Sequence, residues 1–102
     1  MKIDNHLLMD FMLFGKEHRE VHDWLDMIFE TQPGYSHWLD RHHLEAIKKQ
    51  YQEGSQEYLS AYMHILSDWI SHFQMAFVPV DRKDLIEKLR YVGYYQEGDW
   101  VE

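Results

Sequence analysis

The sequence predicts an all-α fold, a compact bundle of four to five antiparallel helices with an aromatic C-terminal tail. Three observations carry that expectation. Apolar residues recur at helical period, while alternating strand patterns are scarce. Turn and cap residues cut the chain into short-linked segments, and short links join antiparallel neighbours in bundles. A hydrophobic share of 45% with 16% aromatics is enough for a buried core, and 102 residues suit a single helical domain over 1–102.

Asp4 can cap a first short helix carrying Leu7, Leu8, Phe11 and Met12 and ending near Gly15. A second helix, Lys16 to Glu30, places Val21, Trp24, Leu25, Ile28 and Phe29 on one side. Gln32-Pro33-Gly34 is a turn signal. Ser36 then caps a third helix to about Gln52, closed by Gly54. Ser55 caps the fourth and longest, to about Phe77, before Pro79 stops it. Asp81 caps a fifth through Tyr91, with Leu85, Ile86 and Leu89 inward. Gly93 and Gly98 frame a tail of Tyr94, Tyr95 and Trp100, whose aromatic surface is expected to lie across the bundle.

Composition narrows the chemistry. A formal charge of −8 argues against a nucleic-acid backbone as ligand, since such binders concentrate Lys and Arg. The absence of cysteine removes disulfides, thiolate nucleophiles and Cys-type zinc sites together. No apolar run approaches the ~20 residues of a membrane span, and no signal peptide opens the chain, so a cytoplasmic location is the default expectation. No Ser with an evident base partner suggests covalent catalysis, and no organic cofactor is indicated.

Against that background the eight histidines stand out. His18, His22 and Asp26 run at i, i+4, i+8, and His64, Asp68 and His72 repeat the pattern. Between them lies Asp40-Arg41-His42-His43. Imidazole and carboxylate together bind borderline divalent metals or move protons near neutral pH. Helical phase at about 100° per residue sorts them. On the second helix His18 falls inside the apolar arc, His22 on its border and Asp26 just outside.

On the third, Asp40 and His43 sit within the arc of Leu39, Leu44, Ala46, Ile47 and Tyr51. His42 points away and His37 lies by a helix N-terminus, so both are expected in solvent. An inward Asp–His pair can be a satisfied hydrogen bond that fixes register, or can share a cation or a substrate proton. On the fourth helix the arc of Leu59, Tyr62, Leu66, Trp69 and Phe73 points away from His64 and leaves Asp68 outside. For that stripe a solvated polar face is the competing expectation.

Height along the bundle favours convergence. With turns centred near residues 33 and 54, antiparallel neighbours at one level sum to about 66 and about 108. His43 is then level with positions beside His22 and His64, and Asp40 with Asp26 and Asp68. A histidine layer would stack on an aspartate layer ~5.4 Å away. The candidate metal residues are therefore His18, His22, Asp40, His43, His64 and Asp68.

His22-Asp23 resembles the His-Asp dipeptide of the HD-type metal phosphohydrolases, a helical family that adds a separate His and a later Asp. That resemblance implies roles for His18 or His43 and for Asp68. His18-x-x-x-His22 is similar to a piece of the hemerythrin-like bundles, although their His-x-x-x-Glu element is missing. Each likeness covers a few residues.

Two functions follow as expectations. The first is a metal-binding or acid–base helical protein, with Zn, Mn, Fe or Ni acceptable to imidazole and carboxylate, and metal-dependent hydrolysis if a coordination position stays open to water. The second is a non-catalytic acidic module that binds a basic protein or a second copy of itself; Met9, Met12, Met27, Met63 and Met75 could line an adaptable apolar surface, with core filling as the competing and favoured use. A pH response through buried histidines is a third possibility, of either sign.

Overall fold

Helix caps and helix-period apolar residues fix most of the architecture. The computed structural model describes residues 3–26 and 38–93, and within them six helical segments and no strand. These are α1 (Ile3–Phe14), α2 (Arg19–Asp26), α3 (Trp38–Arg41), α4 (Leu44–Gln50), α5 (Gln56–Phe73) and α6 (Arg82–Tyr91). The predicted turn at Gln32-Pro33-Gly34, the Ser36 cap, His37 and the aromatic tail lie outside the described residues. The all-α expectation holds.

Where the local chemistry is strong, the boundaries agree. Gly15 ends α1 at φ 75, a left-handed conformation that costs glycine little, with its N–H on Phe11 O at 2.9 Å. The Ser55 hydroxyl accepts from Tyr58 N at 3.1 Å and caps α5. The Asp81 carboxylate accepts from Asp84 N at 2.8 Å and caps α6. The fourth predicted helix ends short of Phe77: Gln74 takes a left-handed conformation and closes α5 at Phe73.

The third predicted helix is two. It breaks at His42–His43, where His43 is extended (φ −151, ψ 162) and caps α4, its Nδ1 accepting from Ala46 N at 3.2 Å. The break is supplied from elsewhere in the chain. Leu44 N donates to Pro79 O at 2.8 Å and Glu45 N to Val80 O at 2.9 Å. Two amides at the start of α4 thus find acceptors in the segment between α5 and α6, and the chain can restart its helix.

The apolar core is one cluster: Val21 and Leu25 from α2, Ile47 from α4, Tyr58, Ala61, Ile65 and Trp69 from α5, and Leu85 and Leu89 from α6. Trp69 is its centre, with ring centroids 4.7 Å from Phe73 and 5.4 Å from Phe77. On α1, Leu7 is buried whereas Leu8, Phe11 and Met12 are exposed, so the inward face of this helix is not the one its apolar residues suggest. Arg41 bridges α3 to α2, donating to Trp24 O at 2.7 Å while its guanidinium lies 5.2 Å from the Trp24 ring. No helix among the described residues is long and apolar enough to cross a membrane.

Candidate metal centre

Alongside the apolar cluster, and equally sealed, runs a polar one. Asp10, His18, His22, His42, His43, Ser60, His64, Ser67 and Asp68 are all buried. Burying carboxylates and imidazoles is costly unless they find one another or a counter-charge. Here most of them meet, where α1, α2, the α3–α4 junction and the polar side of α5 come together.

The centre of the cluster is a convergence of four side chains. His42 Nε2 lies 3.5 Å from Asp26 Oδ1 and 3.5 Å from Asp68 Oδ2. His64 Nε2 lies 3.4 Å from the same Asp26 oxygen and 3.3 Å from the same Asp68 oxygen. Each imidazole nitrogen therefore faces two carboxylates, and each of these oxygens faces two imidazoles. A ring N–H points along a single line and serves one acceptor well, at a usual distance of about 2.9–3.0 Å. The four separations, 3.3 to 3.5 Å, are longer than that and leave each nitrogen between two carboxylates. Asp26, His42 and His64 each offer one ligand atom, all within 4.8 Å of one another. His42 and His64 are fully buried, Asp68 nearly so, and the Asp26 side chain is 37% exposed, which makes it the solvent edge of the centre.

Electrostatics follow from this packing. Burial, the largest influence on Asp26, pushes its carboxyl up, but His42 and His64 together outweigh it and hold the group well below the usual carboxylate range. For His64, burial is again the largest influence and pulls the pKa down. Asp26 and Asp68 overcome it and raise the imidazole to about 9. The two carboxylates thus stabilise positive charge on the imidazole between them.

Behind His64 lies a second layer. His22 Nδ1 is 2.7 Å from His64 Nδ1, with ring centroids 5.0 Å apart and ring planes 26° from parallel. His22 Nε2 is 2.5 Å from Asp10 Oδ2. Asp10 also accepts from the Ser60 hydroxyl at 2.6 Å and from the His18 backbone N–H at 3.0 Å, so it holds the chain entering α2 as well.

The candidates read from the sequence divide accordingly. His64 and Asp68 are at the convergence, although helical phase put both outside the apolar arc of their helix. His22 touches His64 one step back. His18 is buried but turned elsewhere, with Nε2 3.2 Å from Gln56 Oε1 and Nδ1 3.5 Å from Glu20 Oε1, in a second grouping with Glu20 and Glu57 whose ligand atoms also lie within 4.8 Å of one another.

Asp40 and His43 do not join the cluster in the expected way. Asp40 is exposed and pairs with Arg82 at 3.8 Å, and His43 spends Nδ1 on capping α4. Their place is taken by His42, which was expected in solvent and is fully buried. The helix break is the reason, because restarting α4 at Leu44 rotates His42 inward. Asp23, the second residue of the phosphohydrolase-like dipeptide, is exposed, so His22 and Asp23 do not meet at one centre. His72, at the end of the predicted stripe, is also exposed.

Besides His42 and Asp26, the sequence reading left Asp10 out of the candidate set. Its signal was present: it is the only charged residue in the run Leu7 to Phe14, where a lone carboxylate on an apolar helix needs a buried partner. A hollow of about 500 Å³ against α6 is lined by Arg82, Lys83, Ile86, Glu87 and Arg90, and no member of the His/Asp cluster borders it. Comparison with protein-family models, with curated proteins and with solved structures finds no match to this chain.

Proposed function

We propose that this protein is a metal-binding helical domain holding one divalent transition-metal ion, zinc for preference, between Asp26, His42, His64 and Asp68. The observation that carries the reading is the set of four imidazole–carboxylate separations, 3.3 to 3.5 Å. Zinc bonds of about 2.0–2.2 Å to nitrogen and oxygen place tetrahedral neighbours about 3.3–3.6 Å apart. Magnesium, octahedral at about 2.0–2.1 Å, needs adjacent donors nearer 2.9 Å and prefers oxygen and water. Calcium accepts longer separations but takes oxygen ligands, which two imidazoles are not. A dication also offsets the charge of two carboxylates set against the same pair of buried imidazoles.

Asp26, His42 and His64 have ligand atoms within 4.8 Å of one another, and Asp68, beside both buried imidazoles, would complete a closed centre that ties α2, the α3–α4 junction and α5 together. Hydrolysis is the finer possibility. It requires that one donor yield its position to water, and Asp26 at the solvent edge is the residue placed to do so.

The test is metal analysis of untagged protein by ICP-MS, followed by chelation and titration with zinc. One equivalent of bound metal and a rise in melting temperature on adding zinc are expected. Near-zero metal, with no thermal response to Zn, Mn, Fe or Ni, overturns the reading.

A further inference from the structure

The second layer behind His64 has only one consistent hydrogen-bond direction when His64 is a ligand. Two Nδ1 atoms 2.7 Å apart can share one proton: with two they clash, and with none their lone pairs face each other. On the far side of His22, Nε2 meets the Asp10 carboxylate, which can only accept. Asp10 is itself fixed, accepting from Ser60 on one oxygen and from the His18 backbone on the other. His22 therefore donates from Nε2, and a neutral His22 must then accept at Nδ1. The shared proton belongs to His64.

We infer that Asp10 is the positioning residue of the cation centre: acting through His22, it keeps the His64 proton on Nδ1 and aims the Nε2 lone pair at the point shared by Asp26, His42 and Asp68. This inference rests on the cation reading above. Its chemistry is general. A ligating histidine whose other nitrogen donates to an acceptor is locked in tautomer and orientation and becomes a better base toward the metal. What is unusual here is the distance over which the carboxylate acts, through a complete imidazole and from a helix that supplies no donor to the cation. It also explains why an ionisable residue sits in the apolar run of α1: Asp10 couples the packing of that helix to the geometry of the centre.

The full chain, labelled with ¹⁵N in its histidines, tests this by long-range ¹H–¹⁵N correlation with and without one equivalent of zinc chloride. With zinc, His64 is expected to carry its proton on Nδ1 and His22 on Nε2. Asp10→Asn is expected to weaken zinc affinity about 10–100-fold while helical circular dichroism is kept, and Asp10→Glu to recover part of that loss. A His22 protonated on Nδ1 at saturating zinc overturns the inference, as does a folded Asp10→Asn protein with wild-type affinity. If Asp10→Asn does not fold, the wild-type spectrum decides. Zinc uptake with the wrong tautomers refutes the role of Asp10 alone. A wild-type protein that takes up no zinc refutes the cation centre and this role with it.

Discussion

Along one side of α5, Tyr58, Ala61, Ile65 and Trp69 pack into the apolar cluster; along the other, Ser60, His64 and Asp68 are buried to the same degree among carboxylates and imidazoles. The apolar side is held by the loss of water from hydrocarbon, a force without direction that scales with area. The polar side gains nothing from burial itself. It is stable only because every step from Asp10 to His22, His64 and the Asp26–Asp68 pair supplies a partner at a definite distance. A helix buried on both sides thus carries two kinds of information: how tightly the domain folds, and what it can hold.

The largest expected effect breaks the apolar side. Trp69→Ala removes the centre of the core and should cost about 3–5 kcal/mol in urea denaturation. The fraction that remains folded should still be stabilised by zinc, because none of the four cation donors has been touched. Loss of zinc response in that variant would show that the two sides are not separable.

The next effect breaks the polar side. At a zinc concentration of a hundred times its Kd, the wild-type protein should gain about 2.7 kcal/mol. His42→Ala and Asp68→Asn should abolish that gain. His43→Ala, at the neighbouring position, should keep it while losing about 1 kcal/mol with the helix cap. If His43→Ala abolishes the zinc response and His42→Ala spares it, the assignment of His42 is wrong.

pH sharpens the same comparison. In chelated protein the His64 imidazole, raised to about 9, contributes stability that is complete below its ordinary value of 6.5 and is lost as pH rises through about 9. Asp26, lowered by its imidazoles, contributes stability present above about 4 and lost as pH falls through its depressed value. The urea midpoint of chelated protein should therefore fall between pH 6.5 and 9. With zinc bound that fall should shrink, because the ion replaces the Nε2 proton, and uptake near neutral pH should release protons. A midpoint indifferent to pH over that window, with and without zinc, would falsify the electrostatic account of His64.

The smallest effect is a control on the surface. Asp40→Asn disturbs one exposed pair with Arg82 and should change stability by less than about 0.5 kcal/mol and zinc uptake not at all. A large loss of zinc in this variant would return Asp40 to the centre.

What the sequence by itself determined was local. Gly15, Ser55 and Asp81 end or begin helices because their own backbone freedom or side-chain oxygen satisfies nearby amides, an interaction that spans a few residues. Helical rise put Asp26, Asp40 and Asp68 at one height; Asp26 and Asp68 do face the same two imidazoles, while Asp40 is at the surface with Arg82. Which side chain faces inward was not always legible. His42 and His43 exchanged roles because the Pro79 and Val80 carbonyls, more than thirty positions away, accept the first amides of α4 and reset its phase. His64 lay outside an apolar arc yet is sealed, because α1 and α2 bring Asp10 and His22 over it. Periodicity measures the preference of a side chain for water against oil. It carries no record of a polar partner arriving from another helix, and such partners are what bury this centre.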